Sequence, residues 1–263
     1  MVFRGAMLAH KFTGNEDITD YYMSEKLDGI RAFYLGKGKF VSRNNKPIYA
    51  PKWFTDKLPD IVIDGELFTR RGDFSNISSI VRKKIPIDSE WDNITYMVID
   101  LPNTPGKFEA RYNKAVDLFY TSNIAELIKQ YPIKNNEEFD KLHKQLVKKG
   151  AEGTMLRRKC SMYEHKRSRV LLKVKDFFDD EVIVDGHEKG SGKYNDILGN
   201  LIVHWKQNSK KYKGNFNVGS GFTDYERKKY KTLYPVGTVV TIKYWELQPS
   251  GKPRFPIFMR IRD

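Results

Sequence analysis

Cysteine and long apolar stretches are scarce in this 263-residue sequence. A single cysteine, Cys160, excludes an intrachain disulfide and any metal site built from several cysteines. No apolar run approaches the roughly 20 residues that a membrane-spanning helix needs. No basic helix has the broad apolar face that would hold it on a membrane surface. We therefore expect no contact with a membrane.

The N-terminal stretch "MVFRGAMLAHKFTGNED" lacks the apolar segment and the small-residue cleavage site of a secretory signal. Because no signal peptide is visible, the sequence predicts an intracellular, cytoplasmic protein, although a chain whose leader had been removed would look the same. Internal repeats and low-complexity segments are lacking too, which favours ordinary globular domains.

Positive charge, in contrast, is abundant. Lysine and arginine number 47 against 33 acidic residues, which gives a net charge of +14. The excess recurs along the chain, in "VRKKI", "KQLVKKG", "RRKC" and "KQNSKKYK". A globular protein this basic is expected to bind a polyanion, with nucleic acid as the first candidate and an anionic membrane as a weaker second.

Residues 1–175 have the pattern of a mixed α and β domain. Short apolar runs bounded by Gly, Pro, Asn or Asp predict strands at "RAFYL", "KFVSR", "IVIDGELF", "TYMVIDL", "GTMLRR" and "VLLKVK". A helix is predicted in "NNEEFDKLHKQLVKKG", where Phe139, Leu142 and Leu146 fall on one face.

Residues 176–263 have a different texture, which begins after the acidic segment "DFFDDE". Strands are predicted at "VIVDGHE", "LIVHWKQ", "NFNVGSG", "GTVVTIKYWEL" and "FMRIRD", joined by short turns. One helix, "TDYERKKY", has capping-box spacing between Thr223 and Glu226. This succession predicts a small Greek-key barrel of the OB type, and hence two domains, 1–175 and 176–263.

The segment "EKLDGIR" places Lys26 at the end of a predicted strand, followed by a turn at Gly29 with Asp28 and Arg31 beside it. A lysine amine is a nucleophile only when it is neutral. It can then form a Schiff base with a carbonyl or a phosphoramidate with an activated phosphate. The basic character of the chain favours the phosphate, although a Lys-Asp-Gly turn alone is usually an ordinary hairpin.

Further charged side chains lie at other predicted strand ends. Asp64 and Glu66 lie in "IDGELF", and Glu152 lies with Arg157 in "EGTMLR". Carboxylates on separate strand ends can gather a magnesium ion with several waters. In "LLKVK", Lys173 and Lys175 are two residues apart, so they are expected on the same face of a strand, where both could bind phosphate.

These segments, in this order, resemble the motifs of the ATP-dependent DNA ligases, which belong to the lysine-nucleotidyltransferase superfamily with RNA ligases and capping enzymes. "EKLDGIR" is similar to motif I, "SRNNKPI" to motif Ia, "IDGELF" to motif III, "YMVIDL" to motif IIIa, "EGTMLR" to motif IV and "LLKVK" to motif V. "GKPRFPIFMRIR" resembles the C-terminal signature of small viral and bacterial ligases. "KGSGKYNDILGNL" and "GSGFTDYER" resemble the barrel of the minimal E-type bacterial enzymes.

The resemblance implies an α+β nucleotidyltransferase domain, with antiparallel sheets and flanking helices, followed by a small all-β OB-fold barrel. It implies an enzyme that seals 3′-hydroxyl/5′-phosphate nicks in duplex DNA through a lysyl-AMP and then a DNA-adenylate. The implied cofactors are ATP and Mg²⁺ or Mn²⁺, and the implied partner is nicked duplex DNA. We expect the protein to be a monomer.

The resemblance also implies a role for particular residues. Lys26 would hold AMP, Asp28 and Arg31 would organise the nick termini, and Arg43 would hold the 5′-phosphate. The residues that would contact the nucleotide are Glu25, Lys26, Arg31, Glu66, Ile99, Glu152, Lys173 and Lys175. Glu66 and Glu152 would also support the metal, and the two motif V lysines would neutralise the AMP phosphate.

Two features depart from the family pattern. Motif IIIa usually carries an aromatic residue that stacks on adenine immediately before its aspartate, and here that residue is Ile99. The barrel has only "HEKGSGKYNDILG" where small viral ligases carry a long DNA clamp. DNA binding would then rest on phosphate contacts, for which the candidates in the second domain are Lys193, Lys206, Lys210, Lys211 and Lys213, unless this basic loop only faces water.

Other functions remain open at this point. An RNA ligase or a capping guanylyltransferase would use the same lysine chemistry on another substrate. A non-catalytic OB-type nucleic-acid-binding protein would explain the positive charge but not the ordered lysine and carboxylates.

Overall fold

The computed structural model describes residues 3–208 and 210–262. The chain divides into two compact units, Met1–Val174 and Lys175–Asp263.

The first unit contains two β-sheets and several short helices. Its strands are β1 (Leu8–Lys11), β2 (Tyr21–Glu25), β3 (Ile30–Tyr34), β4 (Phe40–Ser42), β5 (Pro47–Ile48), β6 (Ile63–Phe68), β7 (Thr95–Asp100), β8 (Ala125–Leu127), β9 (Tyr131–Pro132), β10 (Thr154–Arg158) and β11 (Arg167–Val174). Its helices are α1 (Lys52–Thr55), α2 (Phe74–Val81), α3 (Asp88–Trp91), α4 (Phe108–Phe119) and α5 (Asn136–Lys148). All six predicted strands of this part of the chain are confirmed.

The strands of the first unit form a six-stranded sheet in the order β5-β4-β3-β6-β7-β8 and a five-stranded sheet in the order β1-β11-β10-β2-β9. Pairing is antiparallel except between β1 and β11 and between β7 and β8, which are parallel. The antiparallel sheets with flanking helices confirm the fold class expected for this domain.

One face of the six-stranded sheet is apolar and the other carries polar side chains. Ala32, Tyr34 and Ile63 belong to the buried cluster beneath the sheet. On the opposite face Arg31 is paired with Glu66 in register across β3 and β6. Because side chains alternate between the faces of a strand, Asp64, two positions before Glu66 in β6, lies on the same polar face.

Helix α5 agrees with the prediction from its apolar periodicity. The Asn135 side chain accepts a hydrogen bond from the Glu138 backbone N–H at 2.8 Å and caps the helix. Phe139 and Leu146 are buried in a cluster that also contains Leu156 of β10. The helix thus covers one side of the five-stranded sheet.

The second unit is built mainly from strands. They are β12 (Phe178–Lys189), β13 (Leu198–Trp205), β14 (Phe216–Val218), β15 (Val239–Tyr244) and β16 (Ile257–Ile261), in the sheet order β14-β13-β12-β15-β16. A bridge between Ser220 and Ile257 brings the two edges of the sheet together at one point. The strands predicted in this part of the chain are all present.

The helical segment of this unit differs from the prediction. The capping box between Thr223 and Glu226 is confirmed, but the segment forms two short helices, α6 (Asp224–Lys228) and α7 (Tyr230–Leu233), instead of one. Lys229, between them, has φ −99° and ψ 14°, which lies outside helical geometry. The single helix predicted from the sequence is therefore wrong.

The connection between β12 and β13 is short. It runs from Gly190 to Ile197 and contains a single 3-10 turn, Gly192–Tyr194. No helix in the described residues combines the length and the apolar character needed to cross a membrane.

Candidate active site

Lys26 directly follows β2, as predicted, and lies beside the start of β10. The register that pairs Glu25 with Thr154 brings the residues before β10 next to the residues after β2. The backbone N–H of Lys26 donates to the Gly153 carbonyl at 3.0 Å, and its Nζ contacts the Glu152 carboxylate. The Lys26 side chain is 23% exposed and that of Glu152 is 8% exposed, so the amine is shielded on one side and reachable from the other.

Glu66 faces the turn that follows Lys26. Its Oε1 accepts from the Gly29 backbone N–H at 3.0 Å. A Cβ added at Gly29 would come within 2.4 Å of the Leu67 carbonyl oxygen, so only glycine allows this close approach of β6 to the turn. Burial raises the pKa of Glu66, and the positive charges of Lys26 and Arg31 counteract only part of that rise.

The prediction that Asp64 and Glu66 lie at a strand end is wrong. Both lie inside β6, where their spacing of two puts them on the same polar face of the sheet. The strand continues past Glu66 to Phe68, and Leu67 is fully buried in the core.

Asp64 holds Arg31 in a fixed position. Two hydrogen bonds join them, from Arg31 Nε to Oδ1 and from Nη2 to Oδ2, both at 2.6 Å. Asp64 is fully buried and also accepts from the Tyr163 hydroxyl at 2.7 Å. Burial raises the pKa of Asp64, while Arg31 and Tyr163 favour its charged form. This bidentate geometry orients the guanidinium toward the polar face of the sheet.

Lys173, on β11, belongs to a cluster of positive charges. Burial and the charges of Arg167 and Lys26 lower the pKa of Lys173. Arg43, an exposed residue just after β4, adds a smaller contribution of the same sign, and Glu152 opposes it. Arg167 was not singled out in the sequence, where only the basic run "HKRSR" ahead of motif V could have indicated it. The cluster is a suitable environment for phosphate.

Lys175 is placed differently from Lys173. Strand β11 ends at Val174, so the prediction that the two lysines share one face of a strand is wrong. Lys175 belongs to the second unit, where its Nζ lies 3.3 Å from the centroid of the Trp245 ring. The position corresponds to a cation–π contact.

Glu25 has a partner that the sequence did not indicate. Arg71 donates from Nε and Nη2 to the two carboxylate oxygens of Glu25, each at 2.7 Å. Arg71 follows β6, and this pair joins the segment after β6 to the end of β2. Asp28, half-buried, lies in the turn between Lys26 and Gly29.

Ile99 is half-buried on β7. It lies at a bulge, because the register with β6 shifts between the Gly65–Val98 and Asp64–Asp100 pairs and leaves Ile99 without a partner in β6. That Ile99 covers adenine stays a prediction from the resemblance.

We expect Ile99→Phe to tighten ATP binding by about 0.5–1.5 kcal/mol, because an aromatic ring stacks on a base better than a branched aliphatic chain does. The measurement is calorimetric titration of ATP into both proteins, with thermal unfolding to verify that the variant is folded. Unchanged ATP affinity in a well-folded variant would place Ile99 away from the base.

The carboxylates near Lys26 could hold a divalent cation. Within residues 3–208 and 210–262 no group of three or more His, Cys, Asp or Glu side chains forms a metal site. Glu66 and Glu152 interact electrostatically with each other and with Lys26. Two carboxylates fit Mg²⁺, which usually takes one or two protein carboxylates and completes its shell with water and substrate phosphate.

The lysines proposed for the second unit differ in their contacts. Lys210, only 19% exposed at its side chain, contacts Asp180 and lies 4.9 Å from the Trp205 ring centroid. Lys211 donates to the Pro249 carbonyl at 2.6 Å. The remaining contacts are those of Lys193 with the Tyr194 ring, Lys206 with Glu181 and Lys213 with the Asn208 carbonyl.

Comparison with protein families matches both units. Residues 6–175 match the family described as ATP dependent DNA ligase domain, and residues 189–262 match the DNA ligase OB-like domain.

Individual relatives cover nearly the whole chain. The DNA ligase of Haemophilus influenzae is 34% identical over 256 residues, which is 97% of this chain and 91% of that protein. A solved structure from a structure-function study of Lig E DNA ligases, concerned with DNA binding by a minimal scaffold, has a TM-score of 0.90 and 34% identity, with 99% of this chain and 100% of that chain covered. Chlorella virus DNA ligase-adenylate is more distant, with a TM-score of 0.53, 25% identity and 98% of each chain covered.

Three findings lead to one assignment. Both units match ligase families, the Haemophilus influenzae ligase is 34% identical, and the motif I lysine Lys26 lies beside the Glu152 carboxylate. This chain belongs to the ATP-dependent DNA ligases, in the form in which a nucleotidyltransferase domain is followed directly by an OB domain.

Proposed function

We propose that this protein seals nicks between a 3′-hydroxyl and a 5′-phosphate in duplex DNA at the expense of ATP. The observation that carries the proposal is the position of Lys26, whose amine lies against Glu152 and within the electrostatic reach of Glu66 and Lys173. That the protein works as a monomer and inside the cell stays a prediction from the sequence.

In the first step, the partly exposed Lys26 ammonium releases a proton to solvent, and the neutral amine attacks the α-phosphorus of ATP. A nitrogen–phosphorus bond forms and the bond to pyrophosphate breaks, which leaves AMP on the lysine. We propose that Lys173, in its cluster of positive charges, neutralises charge on the phosphate and that the contact with Glu152 orients the partly exposed Lys26 amine. Such placement of charges accounts for most of the catalysis in phosphoryl transfer.

In the later steps, AMP passes to the 5′-phosphate of the nick and the 3′-hydroxyl then displaces it. Arg31, oriented by Asp64, and the exposed Arg43 are proposed to bind the phosphate at the nick. Lys26 is then a leaving group and no longer a nucleophile. The Nζ–phosphorus bond breaks as an oxygen of the 5′-phosphate bonds to the phosphorus of AMP. In the last step the 3′-oxygen bonds to the 5′-phosphorus and AMP leaves.

Glu66 and Glu152 are the residues proposed to hold Mg²⁺. The ion would supply positive charge to the phosphate oxygens when bound. Glu66 Oε1 accepts a hydrogen bond from the Gly29 N–H, and we propose that Oε2 faces the hydrated ion.

Glu152→Ala should lower the rate of self-adenylylation on the order of 100-fold or more, whereas Glu152→Asp should retain much more activity. A shorter carboxylate can still bind a hydrated metal ion through water, but a methyl group cannot. The measurement is the rate of AMP transfer to the protein across a magnesium titration. Wild-type rates for the alanine variant at every magnesium concentration would remove Glu152 from the metal site.

DNA affinity is proposed to rest on phosphate contacts, because the β12–β13 connection is short. Lys193, Lys211 and Lys213 are exposed and are the stronger candidates of the second unit. Lys210 is the weakest, since its ammonium already contacts Asp180 and the Trp205 ring.

Replacing Lys211 and Lys213 with Gln should weaken binding of nicked DNA and flatten the plot of log affinity against log salt by up to about 1.8, at about 0.9 for each lost phosphate contact. Self-adenylylation should be unaffected. Lys210→Gln should leave the slope unchanged, and so should the control Lys141→Gln/Lys144→Gln on the solvent face of α5. Parallel salt plots with equal intercepts for wild type and the Lys211/Lys213 variant would show that these lysines only face water.

Sealing of matched nicked substrates tests the function as a whole. We expect ATP-dependent sealing of nicked duplex DNA, with far less product from nicked RNA. Preference for an RNA nick would instead assign the chain to RNA ligation. If the protein retained no label after incubation with α-labelled ATP and denaturation, only nucleic-acid binding would be left as its function.

A further inference from the structure

Tyr163 lies outside all the motifs, yet its hydroxyl makes two hydrogen bonds, one as a donor and one as an acceptor. The residue belongs to the segment between β10 and β11. Its Oη donates to Asp64 Oδ2 at 2.7 Å and accepts from the Met7 backbone N–H at 3.1 Å. Because the Met7 N–H fixes the lone pair of the hydroxyl, the hydroxyl proton is directed at Asp64.

The ring of Tyr163 is also held in place. The Arg157 guanidinium lies 5.9 Å from its centroid, and the His165 ring lies 4.9 Å from it. The ring therefore has packing partners that do not depend on its hydroxyl, so Tyr163→Phe removes the donor and keeps the packing.

Asp64 in turn fixes Arg31. Its two oxygens accept from Nε and Nη2 of Arg31, and its Oδ2 is shared with the Tyr163 hydroxyl. Within the described part of the chain, Nη1 of Arg31 makes no hydrogen bond to protein and is left for another acceptor. A fully buried carboxylate with three donors cannot rotate without losing at least one of them.

We infer that Tyr163 is a positioning residue for Arg31, acting through Asp64, so that Nη1 is presented to a phosphate of the nick. The inference rests on the proposed function, in which Arg31 binds the nick termini. When the hydroxyl is removed, Oδ2 keeps only its bond from Arg31, and the carboxylate and guanidinium can move together. A displacement on the scale of 1 Å at a phosphate-binding group is enough to slow a phosphoryl transfer strongly.

The test uses the full chain and a nicked duplex that already carries 5′-AMP, with single-turnover sealing as the readout. Tyr163→Phe should lower the rate constant at saturating DNA about tenfold, while the half-saturating DNA concentration changes less than about twofold. Tyr112→Phe is the matched control, because it also removes one hydroxyl, whose oxygen lies 3.4 Å from the Ile128 carbonyl, away from Arg31. The control should seal at the wild-type rate.

A double-mutant cycle separates positioning from a general effect on the fold. In an Arg31→Lys background, Tyr163→Phe should add less than about a twofold loss, since the group that it positions has already been changed. A full tenfold loss in that background, or a wild-type rate for Tyr163→Phe alone, would overturn the inference and leave the proposed function intact. Failure of the wild-type protein to seal this nick would instead overturn the proposed function, and the inference with it.

Discussion

Lys26→Ala should abolish transfer of AMP from ATP to the protein, with a loss on the order of 10⁴-fold or more, but should still seal a nick that already carries 5′-AMP. The alanine has no atom that can form the bond to phosphorus, so the first two steps stop. The last step needs only that the enzyme hold the 3′-hydroxyl and the adenylated 5′-phosphate together. Incubation with α-labelled ATP followed by denaturation measures the first step, and sealing of the pre-adenylated nick measures the last.

The matched control is Lys141→Ala, which removes an exposed lysine from α5 in the same unit. It should label and seal as the wild-type protein does. Normal labelling of the Lys26 variant would show that another group carries AMP. Loss of sealing on the pre-adenylated nick would show that Lys26 also acts in the last step.

The largest effect on stability is expected at Asp100, which has no proposed contact with substrate. Its carboxylate accepts from Arg111 Nε at 2.7 Å and Nη2 at 2.9 Å, and from Arg157 Nη2 at 2.7 Å. All three residues are 5% exposed or less. Asp100→Ala would leave two guanidinium groups buried without a carboxylate, which should cost about 3–5 kcal/mol of unfolding free energy.

Urea unfolding of the first unit measures this loss. Asp117→Ala, on the exposed side of α4, is the control and should change the unfolding free energy by less than about 0.5 kcal/mol. A change below about 1 kcal/mol for Asp100→Ala would mean that water or another acceptor replaces the carboxylate.

The sequence predicted the strands and the position of Lys26 directly after β2 because both depend on short-range patterns. Short apolar runs bounded by Gly, Pro, Asn or Asp marked β3, β6 and β7, and Lys26 lies where β2 ends. The OB domain was similarly indicated by successive short strands and by a capping box that is present between Thr223 and Glu226.

The partners of the site residues could not be predicted in this way. Arg71 is 46 residues from Glu25, and Tyr163 is 99 residues from Asp64. A periodic pattern gives the face on which a side chain lies, but it does not give the distant loop that meets that face. Both residues lie in such loops, where no alternation exists to interpret.

The errors at strand and helix ends have a related origin. Lys175 was expected to continue the face of Lys173, but β11 ends one residue earlier and the Trp245 ring holds the ammonium. The break at Lys229 divides a segment whose composition favours one helix. At Lys175 a cation–π contact with Trp245 follows the last strand residue, and at Lys229 the backbone itself leaves helical geometry.

A chase of isolated, labelled protein tests the central claim most directly. The wild-type protein is incubated with α-labelled ATP and then freed of nucleotide. One portion is digested for peptide mapping, and the other is mixed with unlabelled nicked duplex DNA. We predict that the label is on the peptide containing Lys26, that it passes to the 5′-phosphate of the nick, and that it appears as free AMP as the nick is sealed. Label on another residue, or label on Lys26 that nicked DNA does not remove, would contradict the account.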